Sequence, residues 1–133
     1  MKDCGIKFHG QKKINFMNSI QLRKCLSLFA TGITSIVTKN KSKFIGITVN
    51  SFSSVSLNPP LVMWCIDKKS SSIQDFVKNK NKYMIIFLSR KQKKISNQLA
   101  SSNNRFDKKF YKEIISNSLG YLDCAMYKKI SAG

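Results

Sequence analysis

Apolar and polar positions along the chain switch repeatedly between a helical and an extended period. Leu22, Cys25, Leu26 and Phe29 fall at i, i+3, i+4 and i+7, which is one apolar helix face. Asn18-Ser19-Ile20-Gln21 ahead of them has the form of a capping box, and Gly32 ends the run. Ile33–Thr38 is β-branched and predicts a strand; Lys39–Ser42 is a polar turn; Phe44–Val49 is the returning strand of a hairpin. Asn50–Asn58 is rich in Ser and Asn and predicts a loop, closed by Pro59-Pro60, which block regular structure. Leu61–Ile66 is continuously apolar and predicts a strand buried on both faces.

The second half reads the same way. Ser71-Ser72-Ile73-Gln74 is a second capping box, opening a short helix to about Asn79 with Ile73, Phe76 and Val77 inward. Tyr83–Leu88 predicts another buried strand. Ser89-Arg90-Lys91-Gln92 is a third capping box, after which Ile95 and Leu99 mark a helix face. Ser101–Asn104 is a polar loop, Phe106 and Phe110 open an amphipathic stretch helical to about Ser116, and Tyr121–Tyr127 predicts a last strand. Residues 1–17 are basic and weakly patterned, an arm with at most a short strand near Ile14–Met17, which leaves one domain over 18–133. Strands and helices mix without βαβ alternation. The expected fold class is therefore α+β, with a mostly antiparallel sheet or small barrel.

Charge changes the picture most. With 24 basic and 6 acidic residues the net charge is +18. Such a surface attracts anions: nucleic acid, acidic lipid or phosphorylated ligands. Only Arg23, Arg90 and Arg105 are Arg, however, and base readers favour the Arg fork. A solvated basic surface is the plainer reading. Phe44, Phe52, Phe106 and Phe110 could serve as stacking platforms for nucleic acid, but they fit core positions better. Cys4, Cys25, Cys65 and Cys124 are scattered with no C-x-x-C pair, so no zinc site is expected; Cys25 and Cys65 sit in apolar runs and read as core residues. This suits a reducing cytoplasm, and Met1–Gly10 has no apolar segment of a secretory signal. The longest apolar runs, Leu61–Ile66 and Tyr83–Leu88, cannot span a bilayer as helices, so no membrane partner is expected.

Side-chain catalysis has few candidates. The acidic residues Asp3, Asp67, Asp75, Asp107, Glu113 and Asp123 form no obvious pair, and the one histidine, His9, lies in the basic arm. A hydrolase triad or metal site lacks its parts, so any chemistry falls to a bound cofactor. Ser70, Ser71 and Ser72 precede a helix start with Lys68 and Lys69 beside them. They either cap the helix or hold a phosphate. Thr48, Asn50, Ser51, Ser53, Ser54 and Ser56 either bond their own turns or face a flat polar heterocycle.

Phe29-Ala30-Thr31-Gly32-Ile33-Thr34, and then the whole run Gly46-Ile47-Thr48-Val49-Asn50-Ser51-Phe52-Ser53-Ser54-Val55-Ser56-Leu57-Asn58-Pro59-Pro60-Leu61-Val62, resemble the flavin reductase-like family. Leu88-Ser89 with Gln92, and Leu122-Asp123-Cys124, are similar to its later landmarks. The resemblance covers about residues 20–127. It implies an FMN-binding split β-barrel with short peripheral helices, usually a homodimer, that binds FMN or FAD and takes hydride from NADH or NADPH. It further implies a role supplying reduced flavin to a monooxygenase component. Carried over by position, Phe44–Thr48 (with Gly46, Ile47 and Thr48), Asn50 and Ser51 would line the isoalloxazine, as would Cys65, Ile66 and Asp67. Ser71 and Ser72 would meet the phosphate. Gln98 and Leu99 stand where the family usually has a basic and an aromatic residue. Family members continue past the Leu122–Tyr127 strand to a Gly-Asp-His segment and further strands. On that comparison the C-terminal part of the barrel is expected to be missing, and turnover to be slow or absent beside an intact flavin site. A flavin-binding fragment without activity and a basic nucleic-acid-binding protein are the alternatives.

Overall fold

The computed structural model describes residue 20 and residues 32–77, 82–102 and 104–131. The chain divides into two compact units, Met1–Ala30 and Thr31–Gly133, and the strands and helices named below all belong to the second. The basic arm, nearly all of the expected first helix with Cys25, and the Asn79 end of the second helix lie outside the described residues.

Strands β1 (Thr34–Asn40) and β2 (Lys43–Val49) form the expected hairpin, in full register from Thr34↔Val49 to Asn40↔Lys43. Lys41 in its two-residue turn has φ 55°, the left-handed region that such turns require. Two further strands follow the hairpin: β3 (Ser53–Leu57) and β4 (Pro60–Met63). The short helix α1 (Ile73–Val77) precedes β5 (Lys82–Phe87). A 3-10 turn, Arg90–Gln92, then leads into α2 (Lys93–Ala100). The last elements are β6 (Arg105–Phe106), α3 (Lys108–Ser116) and β7 (Gly120–Ala125). The main sheet runs β6-β2-β1-β5-β7, each neighbouring pair antiparallel, and β3 with β4 forms a separate two-stranded ribbon.

Consecutive residues of a strand point to opposite faces. In β1 and β5 both faces are covered: Thr34–Thr38 are buried without a break, and the Tyr83–Phe87 run of β5 is apolar throughout. On one face Ile36, Ile45, Ile47, Val49, Phe76, Tyr83 and Ile85 form a core that Phe52, Val62 and Trp64 pack against. On the other, Val37, Ile86, Leu99, Phe106 and Ile114 pack together. Each such side chain contributes about 1.5–3 kcal/mol by leaving water. Polar fixings join the helices to this frame. Gln92 accepts the Ser89 N–H at 3.0 Å through Oε1 and donates through Nε2 to the Ile114 carbonyl at 2.7 Å. Asp107 caps α3 by accepting the Phe110 N–H at 2.8 Å.

Three expectations are corrected. Asn50–Asn58 is not all loop, because Ser53–Leu57 is a strand; Asn58-Pro59 is the turn of a hairpin, and Pro60 opens the returning strand. Proline is tolerated at the first residue of an edge strand, so it did not break the pairing here. Leu61–Ile66 is not a doubly buried strand either. Pairing ends at Met63, and a two-stranded ribbon covers the core with one face only, leaving Met63 54% exposed. Cys65 follows the end of the strand and is exposed rather than core. Phe44, Phe52, Phe106 and Phe110 all pack against the cores, with Phe44 stacked on Tyr111 at 4.2 Å between ring centres.

Candidate functional site

A cleft of about 320 Å³ opens at the end of β2. Its walls come from three places: Ile47–Val49 of β2, the segment from Cys65 to Ser71, and the end of α2 with the residues after it, Leu99–Ser102 and Asn104. Each wall has a local cause. Thr48 Oγ1 donates to the Ser96 carbonyl at 2.8 Å, which fastens α2 beside the strand. After β4 the chain turns on itself. The Asp67 carboxylate accepts the Lys69 N–H at 2.8 Å, and its carbonyl accepts the Ser70 N–H at 2.9 Å. The Ser70 carbonyl then accepts the Ile73 N–H at 3.1 Å. On the far side Ser101 Oγ donates to the Gln98 carbonyl at 2.7 Å and ends the helix.

Of the residues singled out from sequence, Ile47, Thr48, Cys65, Ile66, Asp67, Ser70, Ser71 and Leu99 line this one cleft, although they come from three separate stretches of chain. Gly46, Asn50, Ser51, Ser72 and Gln98 do not line it. Gly46 is buried beneath α2, and a Cβ there would stand 3.0 Å from Leu99 Cδ2 and 3.1 Å from Phe106 Cε1. Asn50 is an exposed bend. Ser51 Oγ accepts the Cys65 N–H at 2.9 Å, so it holds the cleft wall from behind. Ser72 is 2% exposed, and its hydroxyl accepts from Asn104 Nδ2 at 2.6 Å. Gln98 is half-buried one residue before Leu99. Phe44 and Ile45 lie toward the other end of β2, in the cores, because strand length carries them away from the cleft.

Sequence reasoning passed over Val49, Ala100, Ser101, Ser102 and Asn104. Asn104 had a usable signal: a polar residue directly before the Arg105-Phe106 pair, where a loop meets a strand. Burial raises the pKa of Tyr83 and, with help from Asp123, those of Tyr111 and Cys124; none of the three lines the cleft. Among the described residues no helix is long and apolar enough to cross a membrane.

The main sheet with its covering hairpin is a split β-barrel, and the cleft sits at a strand end, lined by apolar and hydroxyl side chains together. The chain belongs to the flavin reductase-like family: the pattern described as "Flavin reductase like domain" matches residues 26–133. It is 33% identical over 121 residues to the reductase component of a flavin-dependent trigonelline monooxygenase of Acinetobacter baylyi, covering 85% of this chain and 39% of that one. It is 39% identical over 90 residues to an FMN reductase (NADH) of Agrobacterium fabrum, covering 68% of this chain and 51% of that one. The chain thus spans about half the length of the curated relatives it matches. Among solved structures, an NADH:FAD oxidoreductase of Streptomyces globisporus, in complex with NAD and FAD fragments, superposes with a TM-score of 0.72 at 27% identity. That likeness covers 86% of this chain and 73% of the other.

Proposed function

We propose that this domain is an NAD(P)H:flavin oxidoreductase that binds FMN or FAD in the cleft at the end of β2. The observation that carries the reading is the convergence of Ile47–Val49, Cys65–Asp67 and Ser70–Ser71 on one cavity. The donor set fits a flavin. Ile47, Val49 and Ile66 offer an apolar surface to a flat ring, and Thr48, Ser70, Ser71, Ser101 and Ser102 offer polar groups to its edge and chain. The volume falls at the small end of the usual range for ligand sites, about 300–1,000 Å³. Lys68 and Lys69, next to Ser70 and Ser71, set positive charge where a phosphate would be held.

A bound flavin would supply the redox chemistry, taking a hydride from NADH or NADPH and so two electrons, with NAD(P)⁺ leaving. The chain's own residues bind and orient: Ile47 and Ile66 exclude water from the ring, Ser71 meets the phosphate, and Ser51 fixes Cys65 from behind. No side-chain acid or base is required of them.

The homologous reductase components also support a monooxygenase component as the consumer of reduced flavin. A homodimer is part of the proposal. Val55, Leu57 and Met63 on the β3–β4 ribbon, and Leu119 and Tyr121 at β7, are exposed apolar residues suited to a second copy. A reducing cytoplasm suits the exposed thiol of Cys65. The test is anaerobic stopped-flow mixing of the FMN- or FAD-loaded protein with excess NADH or NADPH. Bleaching faster than that of free flavin supports the reading. Bleaching at the free-flavin rate, with flavin bound, leaves a binding module in its place.

A further inference from the structure

Asn104 is 4% exposed and sits where three parts of the site meet. Its carbonyl accepts the Gly46 N–H at 3.0 Å, which ties it to the middle of β2. Its Nδ2 donates to Ser72 Oγ at 2.6 Å, the bond that reaches the segment before α1. The next residue, Arg105, reaches the same helix one turn further on, with its guanidinium 2.7 Å from the Asp75 carboxylate. The backbone bonds within the wall from Asp67 to Ser72 are short-range turn bonds, and α1 just beyond it is held to the sheet by Asp75, which accepts from Asn40 Nδ2 at 2.7 Å.

We propose that Asn104 is a positioning residue that fixes the Asp67–Ser72 wall against β2 and so sets the width of the cleft. The proposal deepens the flavin reading and, for its ligand effect, rests on it. Ser72 is too buried to touch a ligand, yet its neighbours Ser70 and Ser71 line the cleft. A side chain that moves Ser72 therefore moves them. Because Ser71 would meet the phosphate, the width matters more for FMN than for riboflavin.

The experiment compares wild type with Asn104→Ala, Asn104→Asp, Ser72→Ala and the Asn104→Ala/Ser72→Ala pair. Two readouts are taken: amide hydrogen exchange of the ligand-free protein, and dissociation constants for FMN and riboflavin. Loss of one buried hydrogen bond should speed exchange across residues 67–73 by about tenfold and raise the FMN constant by a similar factor. Exchange at Ile36 and Ile85 should not change, and riboflavin should weaken less. The double variant should be no worse than either single one, since each removes the same bond. Asn104→Asp should recover the exchange rates in part, because the Ser72 hydroxyl can donate to a carboxylate, but not the FMN affinity, because it sets a negative charge beside the phosphate. It also answers the question if Asn104→Ala does not fold. Exchange at 67–73 that stays at the wild-type rate, or rises only in step with the whole sheet, overturns the proposal. If wild type binds no flavin but exchange responds as described, the flavin reading fails while Asn104's role stands.

Discussion

Replacing Gly46 by Ala tests how closely α2 lies on the sheet. The new methyl would stand 3.0 Å and 3.3 Å from the two terminal carbons of Leu99 and 3.1 Å from the Phe106 ring edge. All three are tighter than ordinary carbon contacts, whose optimum lies at about 3.5–4.0 Å. Leu99 is 1% exposed and Phe106 7%, so neither can swing into solvent. Overpacking of this kind costs about 1–3 kcal/mol. The stiffer unfolded chain of the Ala variant returns about 0.4–1 kcal/mol. The expected net loss is about 1–2 kcal/mol, or roughly 4–8 °C in Tm by thermal denaturation. Leu99 also forms a cleft wall, so flavin affinity should fall with stability. Truncating Leu99 to Ala should cost about 2–5 kcal/mol alone, but the Gly46→Ala/Leu99→Ala pair should cost less than the sum, since the second change makes room for the first. A Gly46→Ala variant as stable as wild type, or strict additivity in the pair, would refute the close-approach argument.

Other expectations rest on individual contacts. Lys41→Gly should stabilise the protein by about 0.5–1 kcal/mol in urea unfolding, because only glycine occupies the left-handed region without strain; a loss would mean the turn is formed differently. Asp75→Ala should cost about 1–3 kcal/mol, since it leaves Asn40 Nδ2 and the Arg105 guanidinium without their partner, each 2.7 Å away. Burial raises the Tyr83 pKa above its ordinary 10.0, so that share of stability is whole below pH 10 and is lost as pH rises through the folded value. The urea midpoint of wild type should therefore fall more between pH 8 and 11 than that of Tyr83→Phe, and equal falls would contradict this. Burial also keeps the Cys124 thiol protonated, so iodoacetamide should label exposed Cys65 well before Cys124 in a peptide-resolved time course.

The elements that sequence placed well are those whose pattern needs no partner to interpret. The Ile33–Thr38 and Phe44–Val49 runs paired as read, because a polar turn between β-branched runs specifies a hairpin locally. The expected helix ending near Ser116 is α3, but it starts at Lys108, because Asp107 caps it there and Phe106, in β6, pairs with Phe44. The β3–β4 ribbon was misread because Ser-rich strands and Asn-Pro-Pro resemble a loop, and only pairing between the two halves makes them extended. The cleft was legible in part. Ser70, Ser71 and Thr48 could be singled out by type and Ile47, Cys65, Ile66, Asp67 and Leu99 by the family resemblance, whereas Gly46, Ser51 and Ser72 support the walls from behind. That distinction depends on which face of each segment the tertiary fold buries, which residue type alone does not specify. Asn104 stands where a loop meets a strand, but that position does not name its partner 32 residues away in sequence.

Flavin binding in the cleft at the end of β2 is read by titrating the purified chain with FMN and FAD, following flavin fluorescence together with emission from Trp64. That residue is the only tryptophan, packed edge-on against Phe76 and Tyr83 at 5.6 and 5.8 Å and followed at once by cleft-lining Cys65. Flavin bound in the cleft gives saturable quenching of both signals with a micromolar or tighter dissociation constant, weakened in Gly46→Ala. Neither flavin binding at about 100 µM, roughly −5.5 kcal/mol, would contradict a flavin site there.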